Sequence, residues 1–96
     1  MTWIQNIGPD NAMGELADVY RHLYRLYPPE YRAAVPSVTR PDGTTDSIMA
    51  AHSLLPRVMF HIFSAHAELM SLELPLSRRQ HEMIATLVSA LNRCFY

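Results

Sequence analysis

Apolar residues recur at spacings of three and four in three separate segments of the chain, and prolines lie between those segments. This spacing places apolar side chains on one face of an α-helix, whereas a half-buried β-strand needs strict alternation. No repeat, low-complexity tract or linker divides the 96 residues. The pattern therefore predicts one all-α domain over residues 1–96, with three main helices and a short one.

The first periodic segment follows Gly8-Pro9-Asp10-Asn11, in which Asp10 or Asn11 is suited to cap the start of a helix. Pro28-Pro29 ends the segment, because proline cannot continue a helix. We expect the apolar face of this helix to be buried. The face consists of Leu16, Val19, Tyr20, Leu23, Leu26 and Tyr27.

Residues 28 to 45 contain four prolines and the Asp42-Gly43 turn pair, which predict a long, largely non-helical loop. A short β-hairpin around Asp42-Gly43 is the alternative. Long loops inside compact domains tend to be functional covers or partly disordered. We expect the aromatic ring of Tyr31 and the apolar side chains of Val35 and Val38 to pack across the helices.

Thr45 or Asp46 is suited to cap a short helix, and Pro56 is suited to the first turn of the next one. That next helix carries a broad apolar stripe, for which we expect burial against more than one neighbour. The stripe consists of Val58, Met59, Ile62, Phe63, His66, Leu69 and Met70.

The last helix has the clearest start in the sequence. Ser77-Arg78-Arg79-Gln80 fits a capping box, in which the serine oxygen accepts from the backbone three residues on and the glutamine reaches back. Ala85 and Ala90 are small enough to let other helices approach closely. The predicted buried stripe of this helix consists of Ile84, Leu87, Val88 and Leu91.

Charge and composition narrow the set of partners. The formal net charge is −1 and all eight basic residues are arginines, with no cluster larger than Arg78-Arg79, so we expect no nucleic-acid or anionic-membrane partner. No stretch approaches the roughly 20 apolar residues of a membrane span. Six Met and nine aromatic residues favour a homo-oligomer. A single cysteine and the lack of a signal-peptide pattern predict a cytoplasmic location.

Five histidines raise the question of a metal site. His61 and His66 are five residues apart, so on a helix their side chains point about 140° away from each other. Metal sites on helices place two ligands on one face, and the chain has no glycine-rich phosphate loop. We therefore expect no metal ion and no cofactor. His66, on an apolar stripe, is expected to be a hydrogen-bonded core residue.

Glu82 and Cys94 are the remaining candidates for catalysis. A catalytic cysteine must be available as a thiolate, and a nearby carboxylate can serve as the base through a histidine or water. Twelve residues of continuous helix rise about 18 Å, so the two side chains meet only if the chain folds back or if another segment shares the site. The residues themselves leave open whether Cys94 is a redox thiol or a small buried hydrophobe.

The stretch LSRRQHEMIATLVSALNRCFY at residues 76–96 resembles the motif region of the AhpD-like alkylhydroperoxidase and carboxymuconolactone decarboxylase superfamily, in particular its uncharacterised peroxidase-related branch. The family pattern is a glutamate, eleven intervening residues, Cys-x-x-Cys, and a histidine four residues after the second cysteine. Glu82 and Cys94 fit its first two elements. The first helix and the Leu-Leu-Pro-Arg turn at residues 54–57 are also similar to this branch.

The resemblance implies an AhpD-like helical bundle that forms oligomers, of which this chain is a partial domain, the N-terminal half. It also implies a thiol-dependent alkylhydroperoxide reductase with a peroxide substrate and a dithiol electron donor. In that chemistry the second cysteine attacks a peroxide oxygen, helped by a glutamate and histidine relay, and the first cysteine then closes a disulfide. By position Glu82 is the relay base and Cys94 the resolving thiol.

The attacking cysteine of the family pattern falls immediately after Tyr96. We therefore expect the 96-residue chain to have no two-cysteine peroxidase cycle of its own. Two other functions are consistent with the residues: a non-catalytic helical oligomerisation module, and a cysteine-independent decarboxylase or isomerase like some superfamily relatives. A structural Cys94 should resist alkylation in the folded state, whereas a redox thiol should label readily.

Overall fold

A computed structural model of the protein describes residues 3–33, 35–41 and 47–94. Within these ranges it contains three long α-helices, one short α-helix and no β-strand, which confirms the predicted all-α fold. Two short 3₁₀ helices, Pro9–Asn11 and Pro29–Arg32, precede and follow the first α-helix. The α-helices are α1 (Gly14–Leu26), α2 (Ile48–Ala51), α3 (Pro56–Leu69) and α4 (Arg78–Leu91).

The hydrophobic core lies between α1 and α3. Leu23 of α1 and Met59 of α3 are at its centre, each with 0% of its surface exposed. Burial of a side chain of this size stabilises the fold by about 1.5–3 kcal/mol. The α1 residues of the core belong to the predicted apolar face, although Leu26 of that face is exposed at the end of the helix. The buried core consists of Leu16, Val19, Tyr20, Leu23, Met59 and Phe63.

The segment before α1 is hydrogen-bonded to the core through the backbone N–H and C=O of Ile7. The N–H of Ile7 donates to Oγ of the buried Ser53 over 2.7 Å. The C=O of Ile7 accepts from the Tyr20 hydroxyl, also over 2.7 Å. Burial, and then the neighbouring Tyr24, raises the pKa of Tyr20. The Tyr20 hydroxyl therefore keeps its proton at neutral pH and remains a donor.

The predicted cap of α1 is wrong. The N-cap position is occupied by Met13, which makes no side-chain capping hydrogen bond. Asp10 and Asn11 lie in the first 3₁₀ helix, and the chain then runs extended through Ala12 and Met13 before α1 begins at Gly14. The extended residues place both candidate caps too far from the start of the helix to reach its free N–H groups.

The predicted cap of α2 is also wrong. Oγ of Ser47 accepts from the N–H of Ala50 over 3.1 Å and so caps this helix. Thr45 and Asp46 lie outside the described residues, as does the alternative β-hairpin at Asp42-Gly43.

The predicted starts of α3 and α4 are confirmed. Pro56 occupies the first turn of α3, where a backbone N–H would have no partner within the helix. Its missing N–H therefore costs no hydrogen bond. Ser77 and Gln80 form the complete capping box of α4. The N–H of Ser77 donates to Oε1 of Gln80 over 2.9 Å, and the N–H of Gln80 donates back to Oγ of Ser77 over 3.4 Å.

The apolar stripes of α3 and α4 are much less buried than predicted. Only Met59 and Phe63 of the α3 stripe are buried. The whole predicted stripe of α4 is exposed, because no described segment covers that side of the helix. The exposed fractions on α4 are 60% for Met83, 53% for Ile84, 60% for Leu87, 51% for Val88 and 74% for Leu91.

The chain exposes more surface than a compact protein of its size. Its accessible surface is 7726 Å², whereas a compact monomer of 11.0 kDa exposes about 5,600 Å². Its radius of gyration is 14.2 Å, against about 12.5 Å for a compact domain of this length. About 2,100 Å² is therefore exposed beyond the surface of a compact monomer.

Candidate functional site

Glu82, the predicted relay base, lies near the start of α4, and two donors converge on one of its oxygens. The Tyr31 hydroxyl donates to Oε1 of Glu82 over 2.8 Å, and Nε of Arg78 donates to the same oxygen over 2.8 Å. Arg78 and Glu82 are four residues apart, a spacing that places them on one side of the helix. Their side chains are 28% and 46% exposed, so water only partly screens this ion pair. The carboxylate is held by its own helix and by a distant segment.

Tyr31 lies on the second 3₁₀ helix, 51 residues before Glu82. The guanidinium carbon of Arg78 lies 4.8 Å from the centre of the Tyr31 ring, a cation–π geometry. Burial raises the pKa of Tyr31, and the hydrogen bond to Glu82 raises this pKa further. The hydroxyl is therefore protonated at neutral pH and remains a donor to Glu82. The expected packing across the helices is confirmed for Tyr31 and is wrong for Val35, which is 51% exposed.

Tyr27 and His66 extend this cluster toward α3. The Tyr27 ring lies 6.0 Å from the Tyr31 ring and 5.9 Å from the His66 ring. The Tyr27 hydroxyl donates to the backbone C=O of Phe63 over 2.9 Å, and its oxygen lies 3.0 Å from Nδ1 of His66. Because a hydroxyl has one hydrogen, this geometry favours the His66 tautomer that carries a hydrogen on Nδ1. The predicted core position of His66 is wrong, since its side chain is exposed, but its hydrogen bonding is confirmed.

His81 is the buried residue of α4, with 4% of its surface exposed. Neither of its ring nitrogens has a hydrogen-bond partner among the described residues. Buried polar groups nearly always have such a partner, so His81 is an exception in this part of the chain. α4 therefore buries the ring of His81, the residue before Glu82, and not the predicted aliphatic stripe.

Cys94, the predicted resolving thiol, follows the end of α4 and is exposed. The N–H of Cys94 donates to the C=O of Ser89 over 3.0 Å, and the N–H of Arg93 donates to the C=O of Ala90 over 3.1 Å. With Arg93 in the left-handed region at φ 51°, these two bonds form a Schellman motif, which satisfies the last carbonyls of the helix. The alternative of a buried, hydrophobe-like Cys94 does not fit this exposure.

The structure does not bring Glu82 and Cys94 together within the described residues. α4 is continuous from Arg78 to Leu91, and the nine steps from Glu82 to Leu91 rise about 13.5 Å. The chain turns only after Leu91, so the carboxylate and the thiol lie toward opposite ends of one helix. The spacing allowed either a chain that folds back or a site shared with another segment. The described part of the chain does not fold back to bring the two side chains together.

Sequence reasoning identified Glu82 but missed the groups that hold it. The four-residue spacing of Arg78 and Glu82 is a usable signal for an ion pair on a helix. Tyr31 gives no such signal, because a contact across 51 residues arises only from the fold. The contact of Tyr27 with His66, 39 residues apart, is of the same kind.

No protein-family model matches the chain, and no curated protein or solved structure is similar enough to count as a match. The AhpD-like resemblance therefore rests on the sequence pattern alone. In the described ranges no group of three or more His, Cys, Asp or Glu side chains is placed to hold a metal ion. Among the helices described, none combines the length and apolar character that crossing a membrane requires.

Proposed function

We propose that this chain carries the relay-glutamate and resolving-cysteine positions of a thiol-dependent alkylhydroperoxide reductase of the AhpD-like kind. Glu82 is the base and Cys94 is the resolving thiol. The supporting observation is that donors from two segments orient the Glu82 carboxylate, while Cys94, just after the end of the helix that carries Glu82, is accessible. A base needs a fixed orientation, and a resolving thiol needs access to its partner sulfur and to a reductant.

The proposed reaction uses a second thiol at the Cys-x-x-Cys spacing after Cys94. Its thiolate attacks the hydroperoxide, so that an S–O bond forms, the O–O bond breaks and the leaving alkoxide takes a proton from the relay that includes Glu82. The thiol of Cys94 then attacks the sulfenic sulfur, an S–S bond forms and water leaves. A dithiol donor supplies two electrons and two protons to restore both thiols. The 96-residue sequence has one cysteine, so it cannot close this disulfide within itself.

Disulfide mapping tests the assignment of Cys94. The chain is extended after Tyr96 with a cysteine and, four residues later, a histidine, and is treated with one equivalent of an alkyl hydroperoxide. We expect the intact mass to fall by two hydrogens, with a disulfide that joins Cys94 to the added cysteine. The Cys94→Ser form of the extended chain is the control and should accumulate a sulfenic acid instead. Oxidation of the extended chain without a disulfide at Cys94 contradicts the proposal.

The exposed face of α4 favours a second candidate function, a non-catalytic helical module that forms homo-oligomers. Large apolar side chains on one side of α4 are more than half exposed, among them Leu87 and Leu91, and contiguous exposed apolar patches often mark protein–protein interfaces. Light scattering after size exclusion tests this directly, and the module predicts a mass that is a multiple of 11.0 kDa. If assembly is the sole function, Cys94→Ser leaves the mass unchanged and the extended chain has no peroxide reactivity. A monomer at all concentrations contradicts the assembly function.

A further inference from the structure

We propose that Tyr31 is the positioning residue of the relay base: its hydroxyl fixes Oε1 of Glu82 and leaves Oε2 as the oxygen that takes up and releases the proton. This inference rests on the peroxidase function proposed above and assigns a role in that site to a residue outside residues 76–96. In this role Tyr31 acts through the carboxylate and not on the reacting atoms.

The two oxygens of the Glu82 carboxylate have different surroundings. Oε1 accepts from the Tyr31 hydroxyl and from Nε of Arg78, each over 2.8 Å. A carboxylate oxygen offers about two lone-pair positions, so these two donors use both positions on Oε1. Oε2 accepts no hydrogen bond from the part of the chain that the structure describes. The lone pairs of Oε2 are therefore the ones that remain for a proton.

Tyr31 contributes what Arg78 cannot, because it reaches Glu82 from outside α4. Arg78 lies one turn before Glu82 on the same helix, so it moves together with the carboxylate. Among the described elements only α1 and α3 pack extensively against each other, so no broad helix contact holds α4 against the core. The hydrogen bond from Tyr31, 51 residues away in the sequence, ties the base to the rest of the fold.

Tyr31 is itself held by two neighbours. The guanidinium carbon of Arg78 lies 4.8 Å from the centre of its ring, and the Tyr27 ring lies 6.0 Å away. The Tyr27 hydroxyl donates to the backbone C=O of Phe63, a buried residue of the core. A series of contacts therefore runs from Phe63 through Tyr27 and Tyr31 to Glu82, and the position of the carboxylate follows from the core.

The direction of the hydrogen bond suits a base. Burial raises the pKa of Tyr31, and the hydrogen bond to Glu82 raises this pKa further, so the hydroxyl donates and the carboxylate accepts. In the proposed reaction the attacking thiol loses a proton to the relay, and Oε2 of Glu82 holds that proton. The relay then gives one proton to the alkoxide that leaves when the O–O bond breaks. One proton enters and one leaves, so Glu82 ends the step as a carboxylate.

The kinetics of the extended chain test the role of Tyr31. Tyr31→Phe should lower kcat for an alkyl hydroperoxide by about tenfold, because the base loses its fixed orientation. It should change KM by less than about twofold, because a residue that acts through Glu82 does not bind the substrate. Tyr20→Phe is the matched control, since it also removes one tyrosine hydroxyl, whose hydrogen bond to the C=O of Ile7 lies at the core. We expect this control to lower Tm and to leave kcat unchanged.

The Glu82→Ala background separates a positioning role from a merely structural one. A residue that acts only through Glu82 has nothing to position in that background, so Tyr31→Phe should not lower the residual rate further. The parent rate in Tyr31→Phe, or an equal loss with and without Glu82→Ala, overturns the role of Tyr31 and leaves the proposed function in place. An extended chain without turnover overturns the proposed function and this role with it.

Discussion

The Tyr31 hydroxyl donates a 2.8 Å hydrogen bond to Oε1 of Glu82 and so joins the loop after α1 to the start of α4 across 51 residues. The same oxygen accepts from Nε of Arg78, whose guanidinium lies over the Tyr31 ring. Tyr31, Arg78 and Glu82 thus contact one another pairwise. The orientation of the proposed relay base depends on a residue that lies outside residues 76–96, the stretch that resembles the AhpD-like motif region.

Tyr31→Phe should lower the free energy of unfolding by about 1 kcal/mol, because it removes a hydrogen bond to a charged group but keeps the ring under Arg78. This loss is below the roughly 1.5–3 kcal/mol of hydrogen bonds to charged groups, since the Glu82 side chain is 46% exposed. Urea unfolding measures the loss. Glu82→Ala removes the acceptor and provides a double-mutant cycle. If Tyr31→Phe costs the same with and without Glu82→Ala, the hydrogen bond does not couple these residues in solution.

Stability should fall at alkaline pH, with the loss beginning near pH 10. Burial is the main cause that raises the pKa of Tyr20, Tyr24, Tyr27 and Tyr31 above 10.0. A pKa that is higher in the folded state gives stability that is fully present below the unfolded value and is lost as pH rises through the folded one. The sequence contains no lysine, so no side-chain amine titrates in this window. Urea midpoints that stay level from pH 9 to about 11.5 contradict the burial of these hydroxyls.

Arg93→Gly should stabilise the chain by about 1 kcal/mol. Arg93 occupies the left-handed position of the Schellman motif at φ 51°, where a side chain costs about 1–2 kcal/mol and glycine does not. For a domain of this size the gain corresponds to a rise in Tm of about 4–8 °C, measured at fixed protein concentration. Arg93→Ala is the matched control, because it removes the charge and keeps the strain. Equal Tm values for Arg93→Gly and Arg93→Ala argue against the motif.

Ser53→Ala should destabilise the chain by about 1–3 kcal/mol, because it leaves the partly buried N–H of Ile7 without its partner. Ser64→Ala is an informative comparison. Oγ of Ser64 is buried without a partner among the described residues, so its removal should be neutral or stabilising. Thermal unfolding of the two variants should shift Tm in different directions or by clearly different amounts. Similar losses for both variants contradict the hydrogen-bond assignment at Ser53.

The helices themselves follow from local sequence signals. Pro56 and the Ser77–Gln80 capping box fix the starts of α3 and α4 through contacts within one turn, which a sequence displays directly. The N-caps of α1 and α2 could not be predicted correctly from such local signals. Several neighbouring residues there have suitable side chains, and the backbone conformation decides among them, as it does for Ser47.

The burial of those helices and the neighbours of Glu82 did not follow from the sequence. Periodicity shows that a helix has an apolar face but not what covers it, and Leu87 on the predicted buried stripe of α4 is 60% exposed. Tyr31 reaches Glu82 only because α4 lies beside the loop after α1. Contacts of this kind depend on how elements pack, and no local pattern encodes them.

We propose Glu82 as the base and Cys94 as the resolving thiol of a peroxidase site. The most direct measurement is the turnover of an alkyl hydroperoxide with a dithiol reductant, by the 96-residue chain and by the chain extended with the cysteine and histidine described above. We predict negligible turnover by the 96-residue chain, measurable turnover by the extended chain, and loss of about 100-fold or more in its Glu82→Gln and Cys94→Ser forms. Robust turnover by the 96-residue chain that is lost in Cys94→Ser, or an extended chain indifferent to both substitutions, would contradict these roles of Glu82 and Cys94.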